Sequence, residues 1–382
     1  MTDPKADAAA TVRGLQPRMR EIATWMYRNP EVAYEEHQAS ARLGSFLGDH
    51  GFVVEYPAWG LDTAFDATAG ITGPEIVICA EMDALPEVGH ACGHNLIATA
   101  AIAAGAALVP LAAGLGIRIR VLGTPAEEGH GGKVDLLEAG AFEGVAAAMM
   151  IHPSTTDVAD PTCLAVKRFL VAFHGKEAHA AADPHLGRNA LDAATQAYNN
   201  IGALRQAFLP ADRVHGVITY GGGAPNVIPA FTEMSYYVRA PDAVRLDELY
   251  PRVMACFEAA ATATGCRLEI TPKGNDCHEL APDPVIADFF AENSAVLDRP
   301  MVRGGLMTGS TDMGNVSRIV PSIHPMLDIH SSPAVNHQRD FAAHTITEDG
   351  LRAAVDGATA MAWTVIDLAT EDRWGALGSA LV

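Results

Sequence analysis

The sequence predicts an α/β protein: a larger domain on a mixed, largely parallel sheet, carrying an inserted ferredoxin-like α+β domain. Three observations predict it. From residue 52 to residue 152, short apolar runs of strand length alternate with segments whose apolar residues recur at helical spacing, the rhythm of a parallel α/β layer. Near Cys163 the order becomes β-α-β-β-α-β, that of a small split sandwich. Residues able to carry chemistry then resume toward the C-terminus. The second domain, 164–278, is therefore an insertion between 1–163 and 279–382.

Taken in order, the chain opens with helices over about 10–50. Met19, Ile22, Ala23 and Met26 recur at helical spacing, Asn29-Pro30 breaks the pattern, and Ala39, Leu43, Phe46 and Leu47 form a second stripe before Gly51. Strands are expected at 52–56, 64–69 and 75–82, the last containing the apolar run Ile76-Val77-Ile78-Cys79-Ala80. A buried helix follows at 96–109. The uncharged stretch 96–117 is long enough to resemble a membrane span, but Pro110, Gly114 and Gly116 interrupt it, so a core helix, a turn and a strand at 117–123 are expected. A short helix over 133–139 and a strand over 146–151 complete the first stretch. In the insertion, strands at 164–173, 214–220, 232–239 and 267–271 enclose helices at 189–208 and 246–264. A helix at 282–297, a Gly- and Ser-rich loop region and a closing helix at 347–369 end the chain.

The composition narrows the function. Of the 382 residues, 49% are hydrophobic, and the net charge is −20. The first figure suits a packed core. The second disfavours nucleic acid and anionic membranes as partners. Six cysteines without a regular disulfide spacing, and a polar start at Met1-Thr2-Asp3-Pro4-Lys5, lead us to expect a reduced, cytoplasmic protein.

The stretch Gly89-His90-Ala91-Cys92-Gly93-His94-Asn95 places a thiol and two imidazoles in a loop between strand and helix. Alone it reads equally as a metal site or as a packed cysteine with two locally bonded histidines. Other strand ends decide between them. Glu127-Glu128 follows the next strand, and His152 the one after. In an open α/β sheet such loops converge beyond the carboxyl ends of the strands. A thiolate, two imidazoles and a carboxylate suit zinc or a related divalent ion. Adjacent glutamates on extended chain point opposite ways, so one can bind metal while the other faces substrate as general base. An isolated Glu pair would read as a solvated turn. Asp83 reads as acceptor for a ligand imidazole, or equally as a cap. His324, His330, His337 and His344 are not separable by spacing.

Gly-His-Ala-Cys-Gly-His at 89–94, Gly-Thr-Pro-Ala-Glu-Glu at 123–128 and His-Pro at 152–153 resemble the amidohydrolase branch of the di-metal aminoacylase/carboxypeptidase family (peptidase family M20, subfamily D). Asn29-Pro30-Glu31 with Glu35-Glu36-His37, the stretch 175–181 (Gly-Lys-Glu-Ala-His-Ala-Ala) and the stretch 221–229 (Gly-Gly-Gly-Ala-Pro-Asn-Val-Ile-Pro) fit as well, so the resemblance spans the chain. Ser310-Thr311-Asp312-Met313-Gly314-Asn315-Val316-Ser317 and Pro321-Ser322-Ile323-His324-Pro325 are similar to the dipeptidase-like and aminobenzoyl-glutamate hydrolase-like members.

The resemblance implies hydrolysis of a small N-acyl amino acid or dipeptide, or of an aryl-acyl conjugate. It implies two divalent ions per subunit, zinc or manganese with cobalt as a third option. The metal ligands it implies are Cys92 (bridging), His94, Glu128, His152 and a C-terminal histidine. That fifth ligand is placed at His337, since Phe341 follows it, with His324 as runner-up. Glu127 maps to the general base, supported by Asp83. The inserted domain implies a homodimer in which His179 serves the partner's site, and Asn226, Arg239 and His324 contact substrate. The sequence departs from the pattern at Glu81 and Asn95, where Asp is common. Two rivals remain: Cys92 as a nucleophile with His90 or His94 as its base, and a non-catalytic binding protein on this fold.

Overall fold

A computed structural model of the chain describes residues 3–305 and 309–378. Their order is α1 (Pro4–Arg28), α2 (His37–Asp49), β1 (Val53–Glu55), β2 (Phe65–Ala69), β3 (Glu75–Glu81), α3 (His94–Leu115), β4 (Arg118–Thr124), α4 (Glu127–His130), α5 (Gly132–Glu138), β5 (Ala147–Met149) and β6 (His152–Ser154). Next come β7 (Ala165–His174), α6 (Ala190–Leu204), β8 (Arg213–Tyr220), β9 (Phe231–Ala240), α7 (Ala243–Thr264) and β10 (Arg267–Pro272). The chain closes with α8 (Pro284–Val296), α9 (Met313–Ser317), β11 (Ser322–Ile323), β12 (Met326–Asp328), α10 (Arg339–His344) and α11 (Glu348–Thr370). Among the described residues, one compact unit gathers those up to Thr162, those from Leu280 to Gly305 and those from Thr311 onward; the other gathers Cys163–Glu279 with Gly309 and Ser310.

The first unit is built on a six-stranded sheet in the order β1-β2-β4-β3-β5-β11. Strands β4, β3, β5 and β11 run parallel, whereas β2 joins β4, and β1 joins β2, antiparallel. Strand β3 is buried along its whole length, as a central parallel strand covered on both faces must be. Helices α1, α3 and α11 pack on one another, and α3 also packs on β3 and β4. Their apolar faces and the sheet form one core. Side-chain oxygens cap several helices: Asp283 accepts from the backbone of Val285 and Ile286 at the start of α8, and Thr347 accepts from Gly350 at the start of α11.

Helix α3 departs from expectation. It passes through Pro110 to Leu115 and stops at Gly116, whose φ of 66° suits a left-handed helix cap. Pro110 is exposed and lies in the last turns, so the bond it cannot donate is lost near the helix end rather than at its centre. The helix is apolar and long enough to cross a membrane, but 78% of its most apolar window is buried, as in a core helix. The region expected as loop after residue 297 holds α9, β11, β12 and α10. These pieces of two to six residues are too short to show a period.

In the second unit β7, β8, β9 and β10 form an antiparallel sheet in the order β10-β7-β9-β8. Helices α6 and α7 pack on each other and on the sheet, around a separate core that includes Phe169, Tyr236 and Phe257. This is the ferredoxin-like arrangement, and the chain as a whole is α/β.

Candidate active site

Four parallel strands deliver polar residues from their carboxyl ends. Strand β3 ends in Glu81 and leads to Asp83 and the Cys92 loop. Strand β4 leads to Glu127 and Glu128, β5 to His152, and β11 to His324. The Cys92 loop turns at Gly93, with φ 86°. A Cβ there would lie 2.7 Å from the Pro153 side chain, so glycine is what lets the loop reach the β6 segment. His337 arrives from before α10, and its backbone N–H donates to Ala91 O at 2.9 Å.

The donor atoms converge. Cys92 Sγ lies 3.5 Å from His152 Nε2 and 3.6 Å from His337 Nε2. His337 Nε2 lies 3.4 Å from Glu128 Oε1. Three groups hold their ligand atoms within 4.8 Å of one another: Cys92, His94 and His152; Cys92, Glu128 and His337; and His94, Glu127 and Glu128. The histidine tautomers suit a metal. His94 Nδ1 donates to Asp83 Oδ1 at 3.0 Å, and His152 Nδ1 donates to Pro153 O at 2.8 Å. Each ring thus turns Nε2 toward the cluster. His94 Nε2 and Glu128 Oε1 are buried without a hydrogen-bond partner among the described residues. Burying such atoms is costly unless a cation meets them. The residues present therefore fit divalent ions.

Charge at the site agrees. Burial and the neighbouring Glu128 push the Cys92 thiol well above its ordinary range. Burial opposes a charge on His94, but Asp83 and Glu81 outweigh it and hold its pKa well above the usual value. A proton or a metal cation answers the same negative field. Burial, then Glu128 and Glu81, raise Glu127 well above an ordinary carboxylate, which favours its protonated form.

The Glu127–Glu128 pair does not lie on extended chain, contrary to expectation. Ala126 sits at φ 58°, α4 begins at Glu127, and Glu128 is non-helical at ψ 102°. Both carboxylates face His94 from this kinked turn. Two other carboxylates grip its backbone. Glu36 Oε1 accepts from Ala126 N–H at 2.8 Å, and Asp83 Oδ2 accepts from Glu128 N–H at 2.9 Å. Asp83 thereby holds the His94 imidazole and the turn at once.

Three residues were missed as parts of the site. Lys133 is fully buried, with Nζ 2.5 Å from Glu81 Oε1 and 2.6 Å from Asp312 Oδ1. The backbone N–H of Lys133 donates to Asp312 Oδ2 at 2.8 Å. Glu36 is the third. Only the ending of an apolar strand in a glutamate at Glu81 signalled a buried cation nearby. His324 lies outside the donor groups. Its buried ring packs 5.2 Å from that of His152, and neither of its nitrogens has a hydrogen-bond partner among the described residues. His90 is buried and also outside the donor groups.

His179, Asn226 and Arg239 belong to the second unit. His179 is exposed, and its Nδ1 accepts from Ala181 and Ala182 N–H at 3.2 and 3.1 Å. Its proton therefore sits on Nε2, an available donor. Ala180 N–H donates to Asn226 O at 3.0 Å, which ties the two loops together. Arg239 donates to Ser310 Oγ at 2.8 Å.

A family profile described as "Peptidase dimerisation domain" matches residues 166–264. The "Xaa-Arg dipeptidase" of Mus musculus is 38% identical over 382 residues, covering 95% of this chain and 88% of its own length. One of the two p-aminobenzoyl-glutamate hydrolase chains of Escherichia coli (strain K12) is 36% identical over 273 residues, covering 66% of this chain and 57% of its own length. A solved Bacillus subtilis structure, described as a dinuclear metal binding peptidase from the M20 family, has the same fold. Its TM-score is 0.69 at 22% identity, covering 93% of this chain and 99% of that one.

Proposed function

The chain belongs to the M20 peptidase family and is a metal-dependent hydrolase of small amides, and on that premise we propose that it is a dipeptidase preferring a basic C-terminal residue. The observation that supports hydrolysis most strongly is the convergence of three Nε2 atoms, a thiol and two glutamates on one centre. The preference for a basic residue is supported by the near full-length likeness to a protein named Xaa-Arg dipeptidase.

In this reading Cys92, His94, Glu128, His152 and His337 hold two divalent ions, zinc, manganese or cobalt. Such ions supply Lewis-acid polarisation of the scissile carbonyl and acidify the attacking water. Glu127 takes the water's proton onto its carboxylate as the C–O bond forms, then passes it to the leaving nitrogen as the C–N bond breaks. Glu36 and Asp83 hold the turn that aims Glu127. His179 of the partner subunit donates its Nε2–H to the developing oxyanion, worth roughly 3 kcal/mol for one good donor. Asn226, Arg239 and His324 contact the substrate. The first unit is the catalytic domain, and the second is the dimerisation and lid domain.

The test is a hydrolysis panel run with manganese, zinc and cobalt. It contains dipeptides ending in Arg, Lys, Ala and Glu, together with N-acetyl amino acids and p-aminobenzoyl-glutamate. We expect the highest kcat/KM for dipeptides ending in Arg or Lys. A preference for p-aminobenzoyl-glutamate would replace this reading with the aryl-acyl conjugate one.

A further inference from the structure

Glu81 ends the central strand with a carboxylate that nothing so far explains. It is fully buried, as are its two charged neighbours, Lys133 and Asp312. Its Oε1 is taken by Lys133 Nζ at 2.5 Å. Lys133 is itself fixed twice by Asp312, through Nζ and through its backbone N–H. The carboxylate is therefore held by one oxygen. The other oxygen, Oε2, has no hydrogen-bond partner among the described residues. It faces His94 Nε2, equally unpartnered, at 3.4 Å.

We propose that Glu81 is a further metal ligand, binding through Oε2 the same ion that His94 binds through Nε2. This rests on the reading of the site as a metal centre and extends it beyond the five ligands named above. Two facts carry it. First, 3.4 Å is too long for a charge-assisted N–H···O bond, which runs at about 2.7–2.9 Å. A histidine bridging two carboxylates by its protons would draw Glu81 closer, as Nδ1 has drawn Asp83 to 3.0 Å. Second, two ligand atoms about 2.1 Å from one tetrahedral ion stand roughly 3.4 Å apart. The other donor pairs, Cys92–His152 at 3.5 Å and Glu128–His337 at 3.4 Å, show comparable separations. Glu81 fits that set by distance, burial and lack of a partner. Lys133 is then a positioning residue: it occupies one oxygen so that the other is presented to the ion, and it offsets part of the negative charge gathered there.

The experiment compares wild type with Glu81→Gln by equilibrium dialysis against zinc and by the visible spectrum of the cobalt form. Thermal melts of both metal-free proteins check the fold. Gln keeps the shape and can still accept from Lys133, but its amide is a poor ligand. We expect one of two sites to weaken by at least about 10–100-fold, the loss typical of disturbing a metal's surroundings, with an altered cobalt spectrum. Two ions bound by Glu81→Gln with wild-type affinity and spectrum would overturn the proposal and leave the hydrolase reading standing. Wild type that binds no divalent ion would overturn both. Should Glu81→Gln fail to fold, a structure of zinc-loaded wild type decides. Oε2 within about 2.3 Å of an ion supports the assignment, and a distance beyond about 3 Å refutes it.

Discussion

Glu127 is the residue on which the proposed chemistry depends, and its surroundings make a clean substitution available. The turn that carries it is held through backbone N–H groups of its neighbours, by Glu36 at Ala126 and by Asp83 at Glu128. Neither contact involves the Glu127 side chain, so Glu127→Gln should preserve the turn and the ligand set. An amide cannot take up the proton. We expect kcat to fall by roughly 10²–10⁴-fold, the usual worth of a positioned acid–base group, with metal content by atomic absorption unchanged. Turnover within tenfold of wild type would remove Glu127 from that role. The sequence exposed this part of the site because its residues stand in short runs at strand ends: Cys92 with His94, Glu127 with Glu128, and His152. Isolated residues with distant partners were hidden. Lys133 pairs with Glu81, 52 positions away, and with Asp312, 179 positions away. No local pattern announces a buried lysine whose partners come from a strand end and a helix start so far along the chain.

At the scale of elements, Asn95 shows what a departure from the family pattern does. It sits in the first turn of α3, fully buried. Its Nδ2 donates to Ala23 O in α1 at 3.2 Å and to Thr345 Oγ1, after α10, at 3.0 Å. The Thr345 hydroxyl spends its own proton on Ala342 O at 2.8 Å, so only a donor can satisfy it here. An aspartate in place of Asn95 would turn an acceptor toward two acceptors. We therefore expect Asn95→Asp to cost about 1–3 kcal/mol, the penalty for buried groups left unsatisfied, read as a lower denaturation midpoint at unchanged slope. No loss of stability would show that the amide is not a tie between helices. The alternation of strands and helices was legible because β3 and β4 each run for seven residues, β3 buried throughout and β4 over its last four, and α1, α3 and α11 each exceed twenty. Two-residue β11 carries no period, although it is the strand that delivers His324. Pro110 misled for a related reason: its penalty depends on how close to the helix end it falls, and only the folded helix, which runs on to Leu115, decides that.

At the scale of the whole molecule, the question is whether one chain makes a complete catalyst. The first unit holds the donors and Glu127, while the proposed oxyanion donor, His179, belongs to the second. Among the described residues strand β8 is an edge of the second unit's sheet, paired with β9 alone, and it exposes Val217 and Tyr220 at 61% and 49%. An unprotected apolar edge invites a second copy to pair. In the proposed homodimer, Val217→Lys should give a species of single-chain mass in sedimentation that keeps its metal and loses turnover. Complementation shows whose histidine is used. Homodimers of Glu127→Gln and of His179→Ala should each be inactive. In a mixed dimer with His179 acting across the interface, the His179→Ala chain supplies Glu127 to a site completed by His179 of the Glu127→Gln chain. Random pairing makes half the dimers mixed, each with one whole site, so unfolding and refolding an equal mixture should restore roughly a quarter of wild-type activity. If His179 served its own chain, every site in the mixed dimer would lack either the base or the donor. The mixture would then stay as inactive as its parents, and the shared active site would have to be abandoned.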